Sequence, residues 1–309
     1  MSDIKIGVIG VGYLGSVHAR IYSQIQGVQL VGVCDTDEVK ARAVARQFHT
    51  TPFKEFSDLI GKVDAVSVVV PTNLHHVVAK PLLENGIHLL VEKPITTTLK
   101  EADDLLTVAK NKNLILQVGH VERFNAGFLA VEKIINKPIF IECHRLGPFK
   151  KRATDVGVIL DLMIHDIDII LGLIKQKIKS IEAVGAPVLT EREDIANVRL
   201  QFENNSVCNL TASRITDKTM RKIRIFQRDA YISLDYFKPS CFIYRKEGPK
   251  ITRQSVKIRK EEPLKLELES FVNCVRSKER PLVSGLEGRQ ALAIALEIEK
   301  KIKDFSNAL

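Results

Sequence analysis

Residues 5–15 read KIGVIGVGYLG. An apolar strand runs without a spacer into Gly10-Val11-Gly12-Tyr13-Leu14-Gly15, a G-x-G-x-x-G turn, and the turn opens a helical pattern, SVHARIYSQI. Between a strand and a helix such glycines have physical tasks: they let the turn close tightly and let backbone N–H groups approach a pyrophosphate at the helix N-terminus. The same letters elsewhere would be a weak signal. The second strand, VQLVGVCD, ends at Asp35, 20 residues beyond Gly15. A carboxylate there can accept hydrogen bonds from adenosine ribose hydroxyls and repel a 2′-phosphate. Together these features predict a bound NAD, favoured over NADP, contacted by Gly10, Gly12, Tyr13, Leu14, Gly15 and Asp35. A merely tight turn, with Asp35 as a helix cap, is the alternative.

The pattern around this turn repeats. As far as about residue 118, short apolar runs (IKIGVIG, VQLVGVCD, VDAVSVVV, IHLLVE, LILQVGH) alternate with helical stretches, which predicts a doubly wound parallel sheet with helices on its faces. After about 138 the runs are joined by short turns: IFIECHRLG, SIEAVGAPV, IANVRLQF and VCNLTASRI around Asn204-Asn205, RKIRIFQ, AYISLDY, CFIYRK and SVKIRK. That spacing predicts an open, mostly antiparallel sheet, so α/β is followed by α+β. A strongly apolar helix is expected over roughly 156–174. The expected domains are 1–121, binding the dinucleotide, and 122–309, binding substrate and forming oligomers, with a closing helix at about 286–306 packing back toward the first.

Composition excludes several classes. At 309 residues and 45% hydrophobic the chain can bury a sizeable core. Its formal charge of +9 is spread among 37 acidic residues, with no basic helix or aromatic-basic interleaving, which argues against nucleic acid and leaves an anionic small substrate open. Cys34, Cys143, Cys208, Cys241 and Cys274 are odd in number and form no CxxC or Cys/His cluster, so disulfides and structural zinc are not expected and a cytoplasmic protein is. No stretch reaches the ~20 apolar residues needed to cross a bilayer, and glycines interrupt the apolar start where a signal peptide would be continuous.

Polar groups gather where the strands of the first domain end. VVVPTNLHH places Pro71, Thr72, Asn73, His75 and His76 there, and HLLVEKP places Glu92 and Lys93, the edge at which open α/β sheets bind ligands. An ammonium at the tip of a buried strand, stiffened by Pro94, then belongs to the rim of the cofactor crevice and is a proton-transfer candidate. On the apolar helix, Asp161 and His165 stand four apart and share a face, with Asp168 one turn further. A carboxylate beside an imidazole can orient it as a general base. A helix with satisfied buried polar groups is the plainer reading. Metal ligation is a third, weakened because no softer ligand joins them.

As a set, GVGYLG, PTNLHHVVAKPLLENG, VEKP, GHVERFN (119–125), GVILDLMIHDID (157–168) and ERPLVSGLEGRQALAIALEI resemble the glucose–fructose oxidoreductase / inositol dehydrogenase / MocA family of dinucleotide-dependent sugar oxidoreductases. The resemblance spans nearly the whole chain. It implies a Rossmann domain, a second sheet whose broad face makes homodimers or homotetramers, a catalytic group of Lys93, Asp161 and His165, and a cis Lys93–Pro94 peptide. Departures exist: Val156-Gly157-Val158 stands where the family has paired glycines, and no proline follows Asn125. GHVERFN and HRLGPFKKRATDVGVILDLMIHDID look most like the branch oxidising UDP-N-acetylglucosamine at C3, with Arg123 and Asn125 among the substrate ligands. Arg145, Lys150, Lys151 and Arg152, immediately before the catalytic helix, suit a substrate diphosphate; a solvated charge run is the alternative. A dehydrogenase of a free sugar or polyol such as an inositol is the runner-up, and a non-catalytic NAD-binding regulator is the alternative of another class.

Overall fold

The computed structural model describes residues 3–149, 156–258 and 260–307. It divides into two compact units, Met1–Val121 with Glu262–Leu292, and Glu122–Glu261 with Ala293–Leu309.

In the first unit β1 (Ile4–Ile9), α1 (Tyr13–Tyr22), β2 (Val28–Cys34), α2 (Glu38–Gln47), β3 (Thr51–Phe53), β4 (Ala65–Val68), α3 (His75–Glu84), β5 (His88–Glu92), α4 (Leu99–Asn111) and β6 (Leu116–Gly119) follow one another. The strands form one parallel sheet in the order β3-β2-β1-β4-β5-β6, reversing direction of growth at β1. Helices cover both faces, so β4 and β5 are buried along their whole length and read as continuous apolar runs. Asp37 caps α2, and Thr98 with Glu101 forms a reciprocal cap on α4. Strand β3 was not anticipated: three residues are too few to show a period, and Pro52 is tolerated because β3 lies at the sheet edge.

The second unit holds α5 (Ala126–Leu129), β7 (Phe140–Leu146), a π-helical turn over Ile159–Met163 that leads into α6 (Ile164–Ile174), and β8 (Ile178–Ala186), β9 (Ile195–Phe202), β10 (Val207–Ser213), β11 (Met220–Phe226), β12 (Tyr231–Asp235), β13 (Ser240–Glu247) and β14 (Lys250–Val256). Their sheet runs β14-β13-β12-β11-β7-β10-β9-β8. Only β7 and β10 pair in parallel, and every other neighbouring pair is antiparallel. Strand β14 begins five residues before the expected SVKIRK run, because a hairpin closes through Gly248 at φ 60°. Side chains alternate strictly along β7: Ile141, Cys143 and Arg145 are buried, whereas Phe140, Glu142, His144 and Leu146 face the opposite side, half-buried. On that opposite face Phe140, Phe226, Tyr231 and Tyr244 stack in a row, with centroids 5.5, 4.6 and 5.0 Å apart.

Two helices finish the chain, α7 (Pro263–Ser277) and α8 (Gly285–Asn307). The expected boundaries carried α7 in the second domain, but its packing belongs to the first unit. Leu268, Phe271, Val272 and Val275 join Ile4, Ile6, Val8, Ile21 and Tyr22 in one core. Each fully buried side chain of that size stabilises by about 1.5–3 kcal/mol relative to exposure. The first turns of α8 pack on the same unit, where a Cβ at Gly288 would lie 2.5 Å from Val118. No helix among the described residues is long and apolar enough to cross a membrane. Among the same residues no group of three or more His, Cys, Asp or Glu is placed to hold a metal ion, and the five cysteines are unbridged.

Candidate active site

At the carboxyl end of β1, Gly10 takes φ +85°, and a Cβ there would lie 2.6 Å from the Val69 carbonyl oxygen. A Cβ at Gly15 would be driven into the Gly10 carbonyl, so both glycines are required by backbone packing alone. Gly12 differs: its φ of −64° suits any residue, and no protein atom lies within 4 Å of the Cβ position. Its hydrogen atom faces open space beside the first turn of α1, which has neither a side-chain cap nor an acidic residue. Uncapped helix N–H groups over an open approach fit a dinucleotide pyrophosphate. Tyr13 and Leu14 point their side chains outward from the same turn, 82% and 38% exposed, so their contribution to it is backbone.

Asp35 stands beside this turn at the end of β2. Its Oδ2 accepts from the Val11 N–H and its Oδ1 from the Asp37 N–H, both at 2.9 Å. The carboxylate is thus fixed, with lone pairs left for ribose hydroxyls. The residues present fit NAD.

The remaining cofactor candidates sort differently. Pro71 precedes a short 3₁₀ turn, Thr72–Leu74, beyond β4. His75 is buried between the ends of β4 and β5, its Nδ1 2.9 Å from the Pro94 carbonyl and its Nε2 2.9 Å from that of Val70; a neutral ring donates to one of the two. Burial pushes its imidazole down despite the two carbonyls. His76 turns to Asp104 on α4 at 2.7 Å. Glu92 is also buried: Oε1 lies 3.4 Å from His18 Nε2, and Oε2 accepts the Lys93 N–H at 3.2 Å. Gly119 leaves the room for that carboxylate, since a Cβ there would come within 2.7 Å of it. Lys93, half-buried at the end of β5, precedes Pro94 across a cis peptide bond.

In the second unit Asp161 lies in the π-helical turn and His165 in the first turn of α6, both half-buried. A regular α-helix was expected through this region; the widened turn is a feature frequently found at functional sites. The next acids, Asp166 and Asp168, are buried. Asp166 grips Arg145 bidentately, Nε to Oδ2 at 3.0 Å and one terminal nitrogen to Oδ1 at 2.8 Å, while the other terminal nitrogen donates to Glu122 at 2.8 Å. Burial opposes charge on this guanidinium, but Asp166 and Glu122 outweigh it and hold its pKa well above the ordinary value. Arg123 is likewise buried, 3.3 Å from Asp168, in space that Gly172 leaves by lacking a Cβ. Asn125 caps α5 by accepting the Gly127 N–H at 3.0 Å. These three were expected to hold substrate; in the structure carboxylates engage the two arginines and a helix end engages Asn125, and Arg145 also lines a cavity beside Asp161. Lys150, Lys151 and Arg152 lie outside the described residues.

This cavity, of about 190 Å³, adjoins Asp161 and is lined also by Arg145, Leu162, Ser213, Thr219, Arg221 and Phe237. None of the last four was singled out in the sequence. A signal was there for Arg221: it falls on the same parity of β11 as the buried Ile223 and Ile225, an arginine at a core position of a strand. It pairs across strands with Arg145, which occupies the equivalent inward position on β7.

Two family profiles match the chain, "Oxidoreductase family, NAD-binding Rossmann fold" over residues 4–120 and "GFO/IDH/MocA C-terminal domain" over 135–233. UDP-N-acetylglucosamine 3-dehydrogenase of Acidithiobacillus ferrooxidans is 35% identical over 312 residues, covering 99% of each chain. A crystal form of that enzyme superposes with a TM-score of 0.94 at 36% identity, over 99% of both chains. The NAD(+)-dependent scyllo-inositol 2-dehydrogenase of Bacillus subtilis is 26% identical, over 95% of this chain and 92% of its own. Levoglucosan dehydrogenase in complex with NADH and levoglucosan shares the fold, with a TM-score of 0.90 at 16% identity.

Proposed function

The chain belongs to the GFO/IDH/MocA family of NAD-dependent sugar oxidoreductases, and on that premise we propose that it oxidises the C3 hydroxyl of a UDP-N-acetylglucosamine-like nucleotide sugar to the 3-keto sugar. The observation that carries this reading is the cavity beside Asp161, where Arg221 brings a guanidinium to the wall. Positive charge in the cavity wall suits a sugar diphosphate better than an uncharged polyol. Similarity along the whole chain to an enzyme named for that substrate supports the same choice.

NAD, when bound at the glycine turn, supplies the acceptor for the hydride that leaves the sugar. The protein's own residues handle the proton and the orientation. We assign Lys93 or His165 to take the hydroxyl proton and Asp161 to hold the His165 imidazole in the orientation and charge state a base requires. Thr219 and Ser213 offer hydroxyls suited to sugar hydroxyls, and Phe237, 52% exposed, an apolar face. We further assign the aromatic row on the open face of the second sheet to a homo-oligomeric contact, because half-buried stacked rings on an uncovered face gain by exclusion of water. Light scattering that reads one chain mass at micromolar concentration rules that contact out.

NADH formation at 340 nm across UDP-N-acetylglucosamine, UDP-glucose, N-acetylglucosamine and myo-inositol tests the substrate. The UDP-N-acetylamino sugar is expected to have the highest kcat/KM, and Arg221→Ala to raise its KM while leaving NAD affinity near normal. Highest activity on myo-inositol, with Arg221→Ala unchanged, selects the polyol reading.

A further inference from the structure

A cavity of about 510 Å³ lies at the amino-terminal edge of the first sheet, the opposite end from the glycine turn. Lys5, Lys62, Arg276 and Lys278 line it, with Asp3 and Asp64 as the opposing charges and His88 at the start of β5. His88 is 6% exposed, and its Nδ1 accepts the Ile115 N–H at 2.9 Å. A ring nitrogen that accepts a hydrogen bond carries no proton, so the proton of the neutral ring is on Nε2. Burial first, and then the charge of Lys278, push this imidazole down to about 4, so it is neutral at pH 7. Its Nε2 lies 2.7 Å from Lys278 Nζ. An ammonium has three donors and no acceptor. Each group therefore turns a hydrogen toward the other, and an acceptor placed beside them satisfies both.

Among the described residues neither Asp3 nor Asp64 is hydrogen-bonded to the His88 Nε2 or to Lys278. Asp64 takes the Lys5 backbone N–H at 2.9 Å, and the other cations are donors themselves. Lys62 donates to the Asp58 carbonyl at 2.7 Å, and Arg276 to the carbonyls of Gln26 and Gly27 at 3.0 and 2.6 Å. We propose that this cavity binds a small phosphate-class oxyanion, which accepts from the His88 Nε2–H and the Lys278 ammonium while Lys5 and Arg276 supply surrounding positive charge. The site shares no residue with the glycine turn or with the cavity beside Asp161, so it stands whether or not the substrate is a nucleotide sugar.

The test uses the enzyme with its histidines labelled with ¹⁵N and saturated with NADH, so that a phosphate ion cannot report from the glycine turn. Inorganic phosphate is titrated at ionic strength held constant with chloride, and glycerol 3-phosphate is titrated in parallel to tell a free ion from a phosphoester. The expected result is a saturable shift of the His88 ring signals. Lys278→Met, at an exposed position, should weaken it about tenfold, as loss of a charge-assisted hydrogen bond does, without changing NADH affinity. A His88 ring that does not respond to either phosphate overturns the proposal, and so does a Lys278→Met variant that binds as tightly as the parent.

Discussion

Asp35 gives one carboxylate oxygen to the glycine turn and the other to the chain that follows β2, which fixes where its negative charge stands. Asp35→Ala is therefore expected to weaken NAD binding and to bring NADP affinity closer to that of NAD, since the repulsion of a 2′-phosphate goes with the charge. Titration of both cofactors into both proteins checks this, and an unchanged ratio removes Asp35 from the role. His165→Ala and Lys93→Ala should each cost about 10²-fold or more in kcat. Lys93→Arg should fare no better, because a guanidinium keeps its proton at any working pH. Near-normal kcat in the arginine variant, at saturating NAD, would show that position 93 supplies only charge. Glycines and Asp35 were legible in the sequence because their chemistry is local, set by a strand, a turn and a helix in succession. The ion pairs of Arg123 and Arg145 were not legible, for the opposite reason. Their partners Asp168, Asp166 and Glu122 meet them only after strand and helix are packed, and a charge count does not tell a buried pair from a ligand site.

Among the elements, the turn before α1 separates packing from binding. Gly12→Ala should fold with unchanged thermal stability, because no protein atom opposes the new methyl, yet lose NAD affinity because that methyl stands in the approach to the helix N-terminus. Calorimetric unfolding with an NAD titration reads both, and retained affinity would show that the pyrophosphate does not approach there. A second device lies between β8 and β9. Asp194, fully buried, accepts the N–H groups of Val188, Leu189 and Thr190 and pairs with Arg214 at 2.7 Å, and Arg214 donates to the Val156 carbonyl just before the π-helical turn. Burial works against the Asp194 charge, but the Leu189 N–H, Arg214 and the neighbouring N–H groups prevail and hold its pKa well below the usual carboxylate range. A depressed folded pKa contributes stability that is complete above the unfolded value, about 4, and is lost as pH falls from there toward the folded one. Asp194→Asn should thus cost about 3–5 kcal/mol at pH 7, the loss expected on breaking a buried pair, and progressively less below about pH 4. Urea unfolding at both pH values measures it; a cost independent of pH would mean that shape, not charge, is what Asp194 supplies. The strand–helix rhythm that made most elements legible is silent on the π-helical turn, which keeps the sequence pattern of an α-helix, and on β3, which is too short to show a period.

At the scale of the molecule, the change from alternating strand and helix to strands joined by short turns marks the passage between units at Val121–Glu122. The return of the chain was not legible to the same degree. Helix α7 looks like any amphipathic segment after a run of strands, and only its contacts with β1 and α1 assign Glu262–Leu292 to the first unit. The cofactor residues and the Asp161 cavity thus belong to separately packed units, and each was legible through its own local motif. The reaction itself is tested most directly with UDP-N-acetylglucosamine deuterated at C3. Incubated with NAD and the enzyme, it should yield singly deuterated NADH by mass spectrometry, formed more slowly than NADH from the unlabelled sugar; undeuterated NADH from the C3-labelled substrate would contradict oxidation at that carbon.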